Sequence, residues 1–146
     1  MSKSNAFENA LLLLIFNNTN IANLGDATGV QGSAVAGSLY LSLHTADPGE
    51  AGDQATSEAT FAGYARVAVA RSAGGWTIAG NAVSNTAAIP FAPASSGPQV
   101  ITHWALGFAS SGAQTVLYKG ALTPNPTANN GVTINIPAGD LDITED

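Results

Sequence analysis

The sequence predicts a mainly β protein, an antiparallel jelly roll or β-sandwich with a short helix at its amino end. Two observations carry that prediction. From residue 38 onward, short runs that alternate apolar and polar side chains recur at roughly ten-residue spacing, separated by Gly, Pro and Asn turns. A helical apolar period occurs only near the amino end, so strands do not alternate with long helices as a parallel sheet requires. The expected organisation is one domain over residues 1–146, with a helical segment at 1–24 and the β-sandwich at 38–144.

The helical segment comes first. Asn5 followed by Glu8 has the spacing of a capping box, with Asn in place of Ser or Thr. Phe7, Leu11, Leu14 and Ile15 follow the i, i+4, i+7, i+8 spacing of one helical face, and Leu12, Leu13 and Phe16 widen that stripe. A helix apolar over so much of its circumference calls for cover on more than one side, from its own domain or from a neighbouring subunit. The Asn17-Asn18-Thr19-Asn20 cluster ends it, and Ile21 with Leu24 suggests one further short turn before Gly25. Residues 25–37 read as a loop of small and polar residues.

The stretch 38–71 reads as strand, long loop, strand. Leu39, Leu41 and Leu43 share one parity of the first strand, and Ala65, Val67 and Val69 share one parity of the second. The connection between them opens on the turn-forming Asp47-Pro48-Gly49-Glu50; a connection of such length is usually functional or disordered. Beyond it, residues 76–78 begin a short strand after the Gly74-Gly75 turn, and residues 82–91 hold one or two more. A surface loop at 92–99 leads to a strand over 100–108, in which Val100, Trp104, Leu106 and Phe108 share a parity. Residues 110–113 make a hairpin connection to a strand over 115–122. A Pro- and Asn-rich loop at 123–130 precedes the strand of Val132, Ile134 and Ile136. Leu141 and Ile143 suggest a last short one.

Composition limits function. Only 10% of residues are charged, against about a quarter in ordinary domains, and the net charge is −6. The four cations, Lys3, Arg66, Arg71 and Lys119, are scattered, which argues against nucleic-acid binding. There is no cysteine, so disulfides and thiol chemistry are excluded. The apolar run 11–16 is far short of the roughly twenty residues that span a bilayer, and no signal peptide is evident. A surface so poor in charge suits packing against other proteins.

Chemistry finds little support. His44 with Asp47, Glu50 and Asp53 has the residue types of a divalent-metal site but the spacing of no ligand motif, so a solvated loop beside a strand-end His is expected. His103, between apolar neighbours, reads as a satisfied buried or interface residue. No nucleophile elbow and no phosphate loop occurs, so neither an enzyme nor a cofactor is expected. Trp104 reads as core, whereas Trp76 and Tyr40 are candidates for a sugar-binding surface. One or both of Arg66 and Arg71 are expected to pair with the acidic loop, an exposed contact worth about 0–1 kcal/mol.

Several runs point further. They include Met1-Ser2-Lys3-Ser4-Asn5-Ala6-Phe7-Glu8-Asn9-Ala10-Leu11, Leu39-Tyr40-Leu41-Ser42-Leu43-His44-Thr45-Ala46-Asp47-Pro48-Gly49-Glu50, Gly63-Tyr64-Ala65-Arg66-Val67 and Gly74-Gly75-Trp76-Thr77. With these the chain resembles a family of small virion proteins of tailed bacteriophages, nearest to capsid cement (decoration) proteins of the Bordetella-phage type. The resemblance implies a jelly-roll structural protein made in the bacterial cytoplasm that sits on the outer surface of the capsid. There it would bridge neighbouring major capsid protein subunits. Its other expected partner is a second copy of itself, as a dimer across a symmetry axis, with no membrane or nucleic acid. The contacts are expected from Phe7, Leu11, Leu14 and Ile15 on the helix and from Asp47, Glu50 and Asp53 on the acidic loop. The rival expectation is a tail-associated receptor- or carbohydrate-binding module.

Overall fold

The computed structural model describes residues 2–146; Met1, the first residue of the expected helical segment and of the resemblance, lies outside them. Over the described residues the protein is mainly β with antiparallel pairing and one helix. Helix α1 (Asn5–Asn17) is followed by β1 (Ser38–His44), β2 (Val67–Ala70), β3 (Trp76–Ala79), β4 (Ala82–Asn85), β5 (Ile89–Pro90) and β6 (Gln99–Val100). Then come β7 (His103–Gly107), β8 (Val116–Ala121), β9 (Thr127–Ala128), β10 (Asn135–Ile136) and β11 (Asp142–Thr144). The chain divides into two compact units. One takes the chain up to Ser38 with Ala70–Ala88 and Ile136–Asp146, and the other takes Leu39–Val69 and Ile89–Asn135.

In the first unit α1 packs on the sheet ordered β11-β4-β3. Trp76 pairs with Asn85, and Val83 lies opposite both Ile78 and Ile143, so these alternate residues share the covered face. The helix buries the row Glu8, Leu12 and Phe16, and the Phe16 ring meets Trp76 edge-on with centroids 4.9 Å apart. The N-cap is Ser4, whose hydroxyl accepts from the Phe7 amide, one residue earlier than the Asn5 box anticipated. Asn18 closes the helix in the left-handed conformation (φ 56°), and the Thr19 amide donates to the Leu13 carbonyl at 3.0 Å. The further helical turn at Ile21 and Leu24 does not form. Ile21 instead exchanges two 2.9 Å backbone hydrogen bonds with Val30, which folds the Gly-rich loop back on itself.

In the second unit the sheet order is β2-β1-β7-β8. Leu41 lies opposite Leu106 and Leu43 opposite Trp104, which puts these side chains on the core face together with Leu39. Tyr40, Ser42 and His44 take the other face, opposite Gly107, Ala105 and His103. The single strand expected over 100–108 divides in two because the chain changes partner. Val100 pairs with Thr127 of β9, the Ile101 amide donates to the Pro126 carbonyl, and from His103 onward the chain pairs with β1. Val100 and Phe108, expected to share the burial of Trp104 and Leu106, are therefore 50% and 55% exposed. In the expected 132–136 strand only Asn135–Ile136 keeps ladder geometry.

Candidate functional site

The loop after β1 is an ordered strap. It leaves β1 at His44 and returns beside it: the Thr45 amide donates to the Ser57 carbonyl at 2.8 Å and the Ala59 amide to the Leu43 carbonyl at 2.8 Å. Asp53 accepts from the Ala55 amide at 2.8 Å, a local turn bond of the kind short polar side chains make. Midway, the buried side chain of Gln54 donates to the Tyr40 carbonyl and accepts from the Ala109 amide, both at 3.2 Å. Gly107 leaves the room this needs, since a Cβ there would lie 2.3 Å from the Gln54 side chain.

Charge ties down both limbs. Lys119 of β8 reaches Asp47 at 3.0 Å and Glu50 at 3.2 Å. The Gly49 amide and then Lys119 lower the Asp47 carboxyl below its ordinary range, and Asp47 and Glu50 raise Lys119. The returning limb carries Glu58. Arg66 holds it from two nitrogens, Nε to Oε1 at 2.6 Å and Nη2 to Oε2 at 2.8 Å, and also donates from Nη1 to the Ala109 carbonyl and from Nη2 to the Gly112 carbonyl. The Arg66 side chain is 1% exposed, so the expectation of an exposed, weak pair is corrected: its value lies in satisfying a buried guanidinium. Tyr64 completes the cluster, donating its hydroxyl to Glu58 at 2.8 Å and accepting from the Leu43 amide at 3.1 Å. Burial pushes its phenol well above the usual range.

His44 is fully buried, where a solvated strand-end residue was expected, because the strap folds over its ring. Its Nδ1 lies 2.8 Å from the Thr56 carbonyl and so donates to it. That leaves Nε2, 2.8 Å from the Ser42 hydroxyl, to accept in the neutral ring. Burial lowers its pKa from the ordinary 6.5. His103 is half-buried with Thr102 Oγ1 2.9 Å from its Nδ1. Among the described residues no group of three or more His, Asp or Glu stands in position to hold a metal ion.

The sequence-predicted contact residues fall into two sets, one in each compact unit. Phe7 is 38% exposed and Leu11, Leu14 and Ile15 are half-buried, flanking the Glu8–Leu12–Phe16 row that the helix buries. On the strap, Asp47 and Glu50 are exposed and Asp53 is half-buried. Trp76 and Trp104 are both core, which removes Trp76 as a sugar-stacking residue. Tyr40 is half-buried. An open hollow of about 280 Å³ lies between Gly49–Gly52 of the strap and Val116–Lys119 of β8.

Two residues that sequence reasoning left without these roles hold the framework. Gln54 is one. Arg71 is the other: it donates from Nε to the Ile15 carbonyl and from Nη2 to the Leu14 carbonyl, both at 2.6 Å, and from Nη1 to the Ala36 carbonyl at 3.0 Å. A signal for it existed. The last turn of α1 carries no basic residue, so its free carbonyls needed a donor from elsewhere.

Residues 2–144 match the family model described as podophage GP4 fiber I protein gp80. The chain belongs to that family. No curated protein matches it. Membership makes this gp80-family chain a phage structural protein, and at that level the resemblance to small virion proteins of tailed phages holds. Among its described residues no helix is long and apolar enough to cross a membrane.

Proposed function

We propose that the protein is a non-catalytic part of the phage particle that acts by binding other virion proteins, and that it works in the fibre apparatus. The observation that carries this reading is the match to a fibre protein family over residues 2–144, nearly the whole chain. The structure supports a binding role. All four cations are engaged internally: Lys3 with Glu145, Arg66 with Glu58, Lys119 with Asp47 and Glu50, and Arg71 with helix carbonyls. On α1, Phe7 is exposed, and Leu11 and Leu14 beside it are only half-buried.

The second reading is capsid cement on the outer face of the head, bridging neighbouring major capsid protein subunits. It is favoured by the Leu43-His44-Thr45-Ala46-Asp47-Pro48-Gly49-Glu50 string, which resembles cement proteins. The two buried tryptophans weigh against a sugar-binding surface built on them.

Quantitative mass spectrometry of purified particles, before and after tails and fibres are stripped, tests the choice. Low copy number and loss with the stripped parts supports the fibre reading. Shell-wide retention on tailless heads would replace it with cement.

A further inference from the structure

The molecule's two histidines are directly opposed. His44 on β1 and His103 on β7 are register partners in an antiparallel pair, so both rings leave the same face, with Cβ atoms about 4.5–5.5 Å apart. His44 is also the residue from which the strap departs and to which it returns, through its ring to Thr56 and through the backbone bridge to Glu58. One buried imidazole thus ties the sheet to the returning limb.

The charges around that ring are unevenly placed. The nearby carboxylate, Glu58, is already held at two points by Arg66 and receives the Tyr64 hydroxyl as well. The positive charges acting on His44 are Arg66 from the chain entering β2 and His103 from β7. Asp53 acts on Arg66, while Asp47 and Glu50 are engaged by Lys119 on β8. Protonating His44 breaks no hydrogen bond. Nε2 becomes a donor to Ser42, whose hydroxyl can turn to the Ala105 carbonyl 3.1 Å away. The penalty is first that of burying a cation beneath the strap, then its repulsion by Arg66 and His103, set against the pull of the Thr56 carbonyl and Glu58. Lifting the Thr56–Glu58 limb lets water reach the ring and removes it.

We propose that the His44–His103 pair is an acid-sensitive latch that holds the strap of residues 45–58 closed at neutral pH and loosens it in mild acid. The strap is then a conditional element, covering Tyr40, Ser42 and Gly107 at neutral pH and exposing them, with its own carboxylates, as pH falls.

Amide hydrogen exchange on the full chain, corrected for the intrinsic pH dependence, tests this. Between pH 7.5 and 5.0, protection at Thr45, Gln54 and Ala59 should fall about tenfold or more, the equivalent of about 1.4 kcal/mol of lost closing free energy. The Ile21 and Val30 amides should hold their protection. In His103→Gln, which alters only the half-buried partner, the fall should shrink; in His44→Gln it should vanish. Unchanged protection in the natural chain at pH 5.0, or an equal fall in the His103→Gln variant, would overturn the latch.

Discussion

Arg66 and Glu58 make a two-point ion pair, with nitrogen–oxygen distances of 2.6 and 2.8 Å, in which the arginine side chain is all but sealed from water. Every guanidinium nitrogen has a partner, and the carboxylate also accepts from Tyr64. Breaking such a pair from one side leaves a buried charge uncompensated. Glu58→Ala is expected to cost about 3–5 kcal/mol in chemical denaturation. The double variant Glu58→Leu, Arg66→Met should recover most of that loss. A double variant as unstable as the sum of the singles would show that the pair's value is not electrostatic.

Arg71 closes the first unit as Arg66 closes the second. Its three carbonyl contacts secure the carboxyl-terminal end of α1 to the Ala36 segment. Hydrogen bonds to charged groups contribute about 1.5–3 kcal/mol each and are not additive, so Arg71→Met should lose at least about 2 kcal/mol. Arg71→Lys should recover only part, because an ammonium cannot reproduce the planar fork. Helix content followed by far-ultraviolet circular dichroism alongside global unfolding reports whether α1 loosens first.

Much of this was legible in the sequence, and the failures have physical causes. The alternation of Leu39, Leu41 and Leu43 located β1, and the asparagine cluster located the end of α1, because each signal is local. The division of residues 100–108 was not legible, since periodicity does not say with which strand a residue pairs. The burial of His44 was missed because it depends on a strap folding back from residues 54–58. The buried row of α1 was only half legible. Helical spacing grouped Phe7, Leu11, Leu14 and Ile15, but the sheet took the neighbouring row, in which Glu8 replaces an apolar residue.

The neutral His44 sets the sign of the pH response near neutrality. Its folded pKa is depressed, by burial first, while the unfolded chain takes up a proton near 6.5. Below that value the unfolded state binds more protons than the folded one. This contribution to stability is therefore whole above pH 6.5 and declines as pH falls below it. The depressed Asp47 adds nothing to this window, because its contribution is lost only below its ordinary 3.8. The thermal midpoint should fall between pH 7.5 and 5.5 in the natural chain and stay flatter in His44→Gln. A midpoint that rises with acidification would contradict the assignment of a neutral, buried imidazole.

Gly107 is set by space. A methyl group there would meet the Gln54 side chain at 2.3 Å and the Thr115 carbonyl oxygen at 2.6 Å, and neither neighbour is free to move. Gln54 is buried and bonded at both ends of its amide. Gly107→Ala is expected to lose about 1–3 kcal/mol through overpacking. Gly74→Ala, where the nearest atom is the Ser72 hydroxyl at 3.6 Å, serves as the control and should stay within about 0.5 kcal/mol. Comparable losses at the two sites would mean that the strap is not packed against β7 as described.

The flank of α1 distinguishes folding from assembly. Phe7 is exposed and Leu11 half-buried, whereas Leu12 on the neighbouring row is fully buried. Phe7→Ser should therefore leave the unfolding midpoint nearly unchanged, and Leu11→Ser should cost clearly less than the roughly 2–5 kcal/mol of Leu12→Ala. If this flank meets another virion protein, Phe7→Ser with Leu11→Ser should reduce the protein's occupancy in assembled particles by tenfold or more, the equivalent of about 1.4 kcal/mol of lost interface energy. Copy number per particle by mass spectrometry, read beside the stability of the isolated variants, separates the two effects. Full occupancy with an intact fold would assign the partner contact to another surface, with the exposed Asp47 and Glu50 of the strap next in order.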